Sequence, residues 1–301
     1  MDKVHFDIAG VRFSTSMPRN IAFQEPAPGY PPRFVRDCFN DLFSDIQIRL
    51  ELAEFPQRGD MTKLCDTDRT WSIFLDGEDY VLSFDLARNG GPPLWQASFN
   101  QDCTQVTVHC SEKFMVKKDG GMIRLNPVGY PLDQILLMYH LAGRQGALIH
   151  AAGVEMNGKG FIFPGKSGAG KSTLIRQLNT RGDLQILSDD RIVVRKIEDA
   201  YKAFGTPWPG EAGIARNANM PLYGILFIRH GPSNQIRAIS PQEASAKLMP
   251  VTSIPWYDQR ILPSILEFCE ELVVNIPAYE LEFYPSPDVV QCLGRFSETC
   301  L

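Results

Sequence analysis

The residues with the clearest chemistry form the run Gly165-Lys166-Ser167-Gly168-Ala169-Gly170-Lys171-Ser172. It fits G-x-x-x-x-G-K-[ST], the phosphate-binding P-loop or Walker A pattern. Glycines let a backbone turn so that successive N–H groups point inward. The exposed N–H groups at a helix start favour an anion. In such a loop Lys171 reaches the β- and γ-phosphates and the Ser172 hydroxyl sits on Mg²⁺. Thr173 completes the candidate nucleotide-binding set, Gly165 to Thr173. From average residue usage the bare pattern arises by chance in roughly one 300-residue chain in a hundred. Its flanks sharpen it. Gly160-Phe161-Ile162-Phe163 is a short apolar run that predicts a buried strand, and Leu174, Ile175 and Leu178 recur at helical spacing after the loop.

A second group of candidates lies close by in sequence. Asp189-Asp190 follows Lys171 by only eighteen residues, at the end of the short apolar run Gln185-Ile186-Leu187-Ser188. One helix and one return strand fit in that interval, which can set the strand end beside the loop. One carboxylate there can bind Mg²⁺, because hard cations prefer oxygen ligands. A second can accept a proton from an attacking hydroxyl. A solvated Asp-Asp turn is the bland alternative. His150 ends an apolar run fifteen residues before Gly165. It is either a core histidine or, because its strand is expected to pair with the strand entering the P-loop, a group that orients one carboxylate.

The elements that must position these residues follow from periodicity and turn residues. Residues 1–125 are expected to be a β-rich N-terminal region. Val4 to Phe13 alternates around a glycine like a hairpin, and Ile46–Leu52, Trp71–Leu75, Tyr80–Phe84 and Val106–Val108 read as strands. Asp76-Gly77-Glu78-Asp79 supplies a turn, and Gly-Pro clusters at 26–32 and 90–93 mark loops. From residue 126 onward a second domain, 126–301, is expected. It opens with a helix that has Pro131 at an early position and Gly143 at its end. Ala147–Val154 is a buried strand, and Gly158-Lys159-Gly160 is a tight turn into the P-loop strand, so two antiparallel strands lead to the loop. Strands at 192–195, 223–228 and 278–283, helices at 241–248 and 261–274, and a closing helix at 288–293 complete the pattern, with Thr206 to Glu211 a rigid loop.

Composition narrows the function classes. The 301 residues are 44% hydrophobic and 22% charged, ordinary for a soluble globular chain. A net charge of −5 argues against general affinity for nucleic acid or an anionic membrane. The longest apolar run is far too short to span a bilayer. The N-terminus has no basic segment followed by an apolar one, so no signal peptide is expected. Seven cysteines with no C-x-x-C fit reduced thiols and a cytoplasmic location.

His150, Gly165 to Ser172 and Asp189-Asp190, in that order and at those intervals, resemble the catalytic domain of HPr kinase/phosphorylase. That bacterial enzyme phosphorylates a serine of a sugar-transport carrier protein, and its fold is related to phosphoenolpyruvate carboxykinase. The resemblance covers residues 145–195 well and 196–230 loosely. It implies an α/β (α+β) fold, a PEP-carboxykinase/HPr-kinase-like mixed-sheet P-loop domain behind the β-rich N-terminal region. It implies an ATP-dependent kinase with Mg²⁺, without deciding ATP over GTP. Lys171 and Mg²⁺ would hold the phosphates, Asp190 would take the acceptor proton, His150 would support it, and Asp189 would serve the metal shell. Gly210-Glu211-Ala212-Gly213-Ile214-Ala215-Arg216-Asn217 is similar to the family's glycine-rich stretch. That similarity implies a metal-binding role for Glu211, and Arg216 could neutralise the transferring phosphoryl group. Lys166 stands where the family usually has aspartate, and residues 1–125 do not look like its N-terminal domain. Phosphorylation of the carrier protein is therefore not expected. The chain looks more like HPr-kinase-related proteins of bacterial peptide-modification clusters.

The expected partner is a hydroxyl-bearing acceptor, either a peptide, a protein or a small molecule. HPr kinases form hexamers, so a homo-oligomer is compatible, though no segment marks an interface. The alternative function is a nucleotide-binding switch or scaffold with slow or no hydrolysis. Asp189-Asp190 favours the kinase, because a pure binder needs no proton acceptor. The short chain does not display the arginine set and metal-binding residues of a carboxykinase. An ABC ATPase would carry L-S-G-G-Q, and a small GTPase N-K-x-D.

Overall fold

A computed structural model describes residues 2–17, 30–36, 44–52, 54–56, 59–68, 70–85, 93–111, 114–118, 121–182 and 184–299. Most of the Gly-Pro segments expected as loops at 26–32 and 90–93, and Cys38 and Cys300, lie outside the described residues. The chain is of mixed α and β type with two large mixed sheets. It divides into two compact units, residues 1–140 and 141–301.

The first unit is built on a nine-stranded sheet. Its strands are β1 (Asp2–Ile8), β2 (Val11–Met17), β3 (Val35–Arg36), β4 (Ile46–Leu52), β5 (Thr62–Asp66), β6 (Trp71–Asp76), β7 (Asp79–Phe84), β8 (Trp95–Phe99) and β9 (Gln105–Cys110), in the order β3-β1-β2-β4-β9-β8-β7-β6-β5. The expected hairpin is β1–β2. Its two-residue loop, Ala9-Gly10, has both residues at positive φ, the geometry whose twist matches two flanking strands. Strands β4 and β9 run parallel, as do β2 and β4, and the others are antiparallel. Period-two alternation buries Ile46, Ile48 and Leu50 while the intervening Gln47 and Arg49 stay at the other face. A small ribbon of β10 (Met115–Lys118) and β11 (Gly121–Arg124) follows. Helix α1 (Leu132–Ala142) begins where the early proline predicts, with the Ile135 N–H bonded to the Pro131 carbonyl.

The second unit carries the motifs. Its strands are β12 (Gly146–Met156), β13 (Lys159–Pro164), β14 (Gln185–Ser188), β15 (Arg191–Ile197), β16 (Ala200–Gly205), β17 (Asn219–His230), β18 (Gln235–Ala238) and β19 (Ala278–Phe283). Its helices are α2 (Lys171–Asn179), α3 (Pro241–Leu248), α4 (Leu262–Asn275) and α5 (Asp288–Thr299). The β12–β13 hairpin is antiparallel, as expected. Its turn is not Gly158-Lys159-Gly160, however. Asn157-Gly158 takes both central positions at positive φ, and Lys159 and Gly160 are already paired in β13. Asn-Gly is the strongest hairpin signal for such a turn, and the cluster of glycines after it hid it. Strand β16 and the full length of α5 also went beyond the sequence expectation.

Two long strands give the unit its form. Gly146–His150 of β12 pairs with β15, whereas Ala151–Met156 pairs with β13 and β14. Strand β17 pairs β16 with its first residues and then runs parallel to β13 and β19. The pairings β13–β12–β15–β16–β17–β13 therefore close on themselves. Successive residues of β13 enter different cores. Phe161 and Phe163 pack with Leu174, Ile175 and Leu178 of α2 and Val289 and Leu293 of α5. Ile162 packs with Ile265, Phe268 and Leu272 of α4. Helices thus cover both faces. Leu174, Ile175 and Leu178 are each fully buried, which contributes about 1.5–3 kcal/mol apiece and fixes the start of α2 at the end of β13.

Candidate functional site

The change of partner along β12 falls at His150, and the backbone there ties the motifs together. The His150 carbonyl accepts the N–H of Gly165, the first residue of the P-loop. The next N–H, of Ala151, donates to the Asp190 carbonyl. His150 is also the β-partner of Arg191. The histidine, the loop entrance and the aspartate pair therefore meet at one point, fixed by main-chain bonds rather than by long side chains.

The loop itself turns at Gly168 and Gly170, at φ 82° and 98°. Gly170 is the residue before α2 and supplies no capping side chain. Helix geometry leaves the N–H groups of the first turn, from Lys171 to Thr173, for an outside acceptor. The φ of Gly170 favours glycine, and a Cβ there would press on His230 and Phe283 at 3.3 Å. The Lys171 ammonium is buried and curls back over the loop, donating to the carbonyls of Gly165 (2.7 Å) and Lys166 (3.1 Å). Burial pushes its pKa down. Asp190 and Asp189 oppose that shift, and the charge of Arg191 adds to it.

The two aspartates have different environments. Asp190 faces His150, whose Nε2 lies 2.9 Å from its Oδ1. Arg191 Nε is 3.6 Å from its other oxygen. Desolvation works to raise the Asp190 pKa, but the His150 hydrogen bond and the charges of His150, Arg191 and Lys171 outweigh it. The carboxyl is held below the usual range and is ionised at neutral pH. Asp189 is only 1% exposed. Its Oδ1 accepts the N–H groups of Gly210 (2.9 Å) and Ile214 (3.2 Å), and its Oδ2 that of Ala212 (2.6 Å).

A cavity of about 260 Å³ joins these groups. His150, Lys171, Ser172, Asp189, Asp190, Glu211 and His230 line it, with Ser167, Gly168, Gly170, Thr173 and Gly210. That is below the ~300–1,000 Å³ of typical small-molecule pockets, room for a phosphate chain rather than a whole nucleotide. A larger hollow of about 600 Å³ lies in the first unit, over Ser14, Gln47, Arg49 and Thr107. It contains none of the motif residues, so chemistry and not volume selects the smaller cavity.

Of the residues singled out from sequence, His150, Lys171, Ser172, Thr173, Asp189, Asp190 and Glu211 surround one cavity. Glu211 is at its mouth, with the side chain 82% exposed and 3.6 Å from Arg176 of α2. Arg216 is not among the lining residues; its N–H donates to the Leu187 carbonyl. The cation beside Asp190 is Arg191 instead, and sequence reasoning missed it. His230 was also missed. It ends β17, which runs parallel to the P-loop strand, and its Nε2 is 3.4 Å from the Gly168 carbonyl. The strand-end position was readable, but not its neighbour. Among the described residues no group of three histidine, cysteine or acidic side chains is arranged to hold a metal ion. Mg²⁺ needs only one or two protein oxygens when phosphates supply others, so Ser172 with one carboxylate fits a magnesium that arrives with a nucleotide.

The family model of SynChlorMet cassette protein ScmC matches residues 116–298. The chain belongs to this family. No curated protein matches. Among solved structures, the Hpr(Ser) kinase/phosphatase from Coxiella burnetii is similar at 12% identity, over 50% of this chain and 88% of that one, with a TM-score of 0.30. A likeness of that size shows neither a shared fold nor a shared activity. No helix among the described residues is long and apolar enough to cross a membrane.

Proposed function

We propose that this chain is an ATP-dependent phosphotransferase that moves the γ-phosphate to a hydroxyl of a peptide, protein or small molecule. The observation that carries this reading is the convergence of Lys171, the uncapped start of α2 and the His150–Asp190 pair on one small cavity. The first-turn N–H groups and Lys171 would hold the β- and γ-phosphates. Magnesium would neutralise phosphate charge, held by Ser172 and by Glu211 at the mouth. Asp190 would accept the acceptor proton, and His150 would fix the carboxylate that does so. Phosphoryl transfer depends more on positioning and electrostatics than on a strong base, so an aspartate of low pKa suffices. The finer fold proposed for residues 126–301 is PEP-carboxykinase/HPr-kinase-like, with residues 1–125 recognising the acceptor in a cytoplasmic setting.

A second reading draws on the same low pKa. Asp190 is a weak base, which suits a nucleotide-binding switch that turns over slowly. The two separate in one experiment. Wild type, Lys171→Ala and Asp190→Asn are incubated with γ-labelled ATP, or GTP, and Mg²⁺ in lysate of the source cell. Transfer of label to a discrete product by wild type alone supports the kinase. Nucleotide binding that needs Lys171, with no transfer under any condition, supports the switch.

A further inference from the structure

Asp189 and Asp190 are chemically identical and adjacent, yet their carboxylates meet different partners. We infer that Asp189 is a positioning residue. It holds the 210–214 loop as the wall of the cavity facing the P-loop, and so presents Glu211 at the mouth. Three observations carry this. The Asp189 carboxylate accepts three backbone N–H groups, from alternate residues Gly210, Ala212 and Ile214. A carboxylate offers about four acceptor directions, so little of it remains for a cation. The side chain is almost wholly buried, where a carboxylate without those donors would be costly.

The second observation is what alternation does to the loop. With the N–H groups of 210, 212 and 214 turned to Asp189, Glu211 between them reaches toward Arg176 on α2, the helix that follows the P-loop. The loop thereby joins the end of β14 to the other side of the cavity. The third is steric. A Cβ at Gly210 would lie 2.7 Å from Asp189 Oδ2 and 3.1 Å from the Asp190 Cβ, so the loop is docked as closely as a backbone without a side chain allows. Within the proposed phosphotransferase, on which this assignment depends, the carboxylate available to magnesium is then Glu211, while Asp189 acts through the loop.

The test is amide hydrogen exchange of the full chain, resolved over 209–215, together with nucleotide affinity measured with and without Mg²⁺. In Asp189→Asn the amides of 210, 212 and 214 are expected to lose protection by about tenfold or more, while β14 and β15 keep theirs. Gly210→Ala attacks the same contact without changing charge and should expose the same amides, which keeps the test open if Asp189→Asn does not fold. Glu211→Gln should leave those amides protected and reduce the Mg²⁺-dependent gain in ATP affinity several-fold. Unchanged protection in Asp189→Asn or Gly210→Ala would overturn the positioning role. A protected loop with lost Mg²⁺ dependence in Asp189→Asn would make Asp189 a metal ligand instead. Absence of phosphoryl transfer by wild type would remove the kinase and leave the exchange result standing.

Discussion

Replacing His150 with alanine removes the side-chain hydrogen bond that lowers the Asp190 pKa, and leaves the burial that raises it. The sign of the stability effect follows from linkage. Asp190 has a folded pKa below its unfolded value of about 3.9, so its contribution is fully present above that value and is lost as pH falls through the lower folded pKa. In His150→Ala the folded pKa rises and that contribution shrinks. A hydrogen bond to a charged group is worth roughly 1.5–3 kcal/mol. The two side chains are 24% and 30% exposed, and solvent screening reduces the figure to about 1 kcal/mol. Urea unfolding of both proteins from pH 3 to pH 7 measures it. Above pH 5 the variant should be less stable by about 1 kcal/mol, or about 2–4 °C in Tm for a unit of this size. Below the folded pKa of Asp190 the difference should fall to the smaller, pH-independent cost of lost packing. An Asp190 pKa, read by NMR titration of the folded proteins, that is the same in wild type and His150→Ala would refute the coupling of His150 to Asp190.

Lys171→Met should lower affinity for ATP by roughly 10–200-fold, the loss of one or two charge-assisted bonds, with little change in circular dichroism; titration calorimetry reads it. Leu178→Ala should cost about 2–5 kcal/mol, because this fully buried side chain fixes α2 on the sheet, and denaturant midpoints would show it. The β15–β16 turn places Glu198 and Asp199 at φ 49° and 63°, where residues with a Cβ are strained. Replacing them with Asn-Gly should stabilise the chain by about 1 kcal/mol. Nucleotide affinity should not change, since the turn lies at the opposite end of β15 from Asp190.

The parts of the site and their order along the chain were legible before folding. The P-loop was legible because its glycines and lysine are demanded by backbone geometry and phosphate charge, which are local. The hairpin into it, the helix behind it and the strand ending in Asp189-Asp190 were legible because periodicity and turn residues act over a few positions. Tertiary structure decided what each part faces. Neighbouring residues of identical chemistry point in different directions, so only the folded backbone separates Asp189, wrapped by the amides of 210, 212 and 214, from Asp190, paired with His150. The same holds for His230, which lines the cavity from the end of β17, and for Arg191, which stands beside Asp190 where β15 pairs with β12. Pairing between strands far apart in the chain leaves no mark at either strand alone, and that is where the site is assembled.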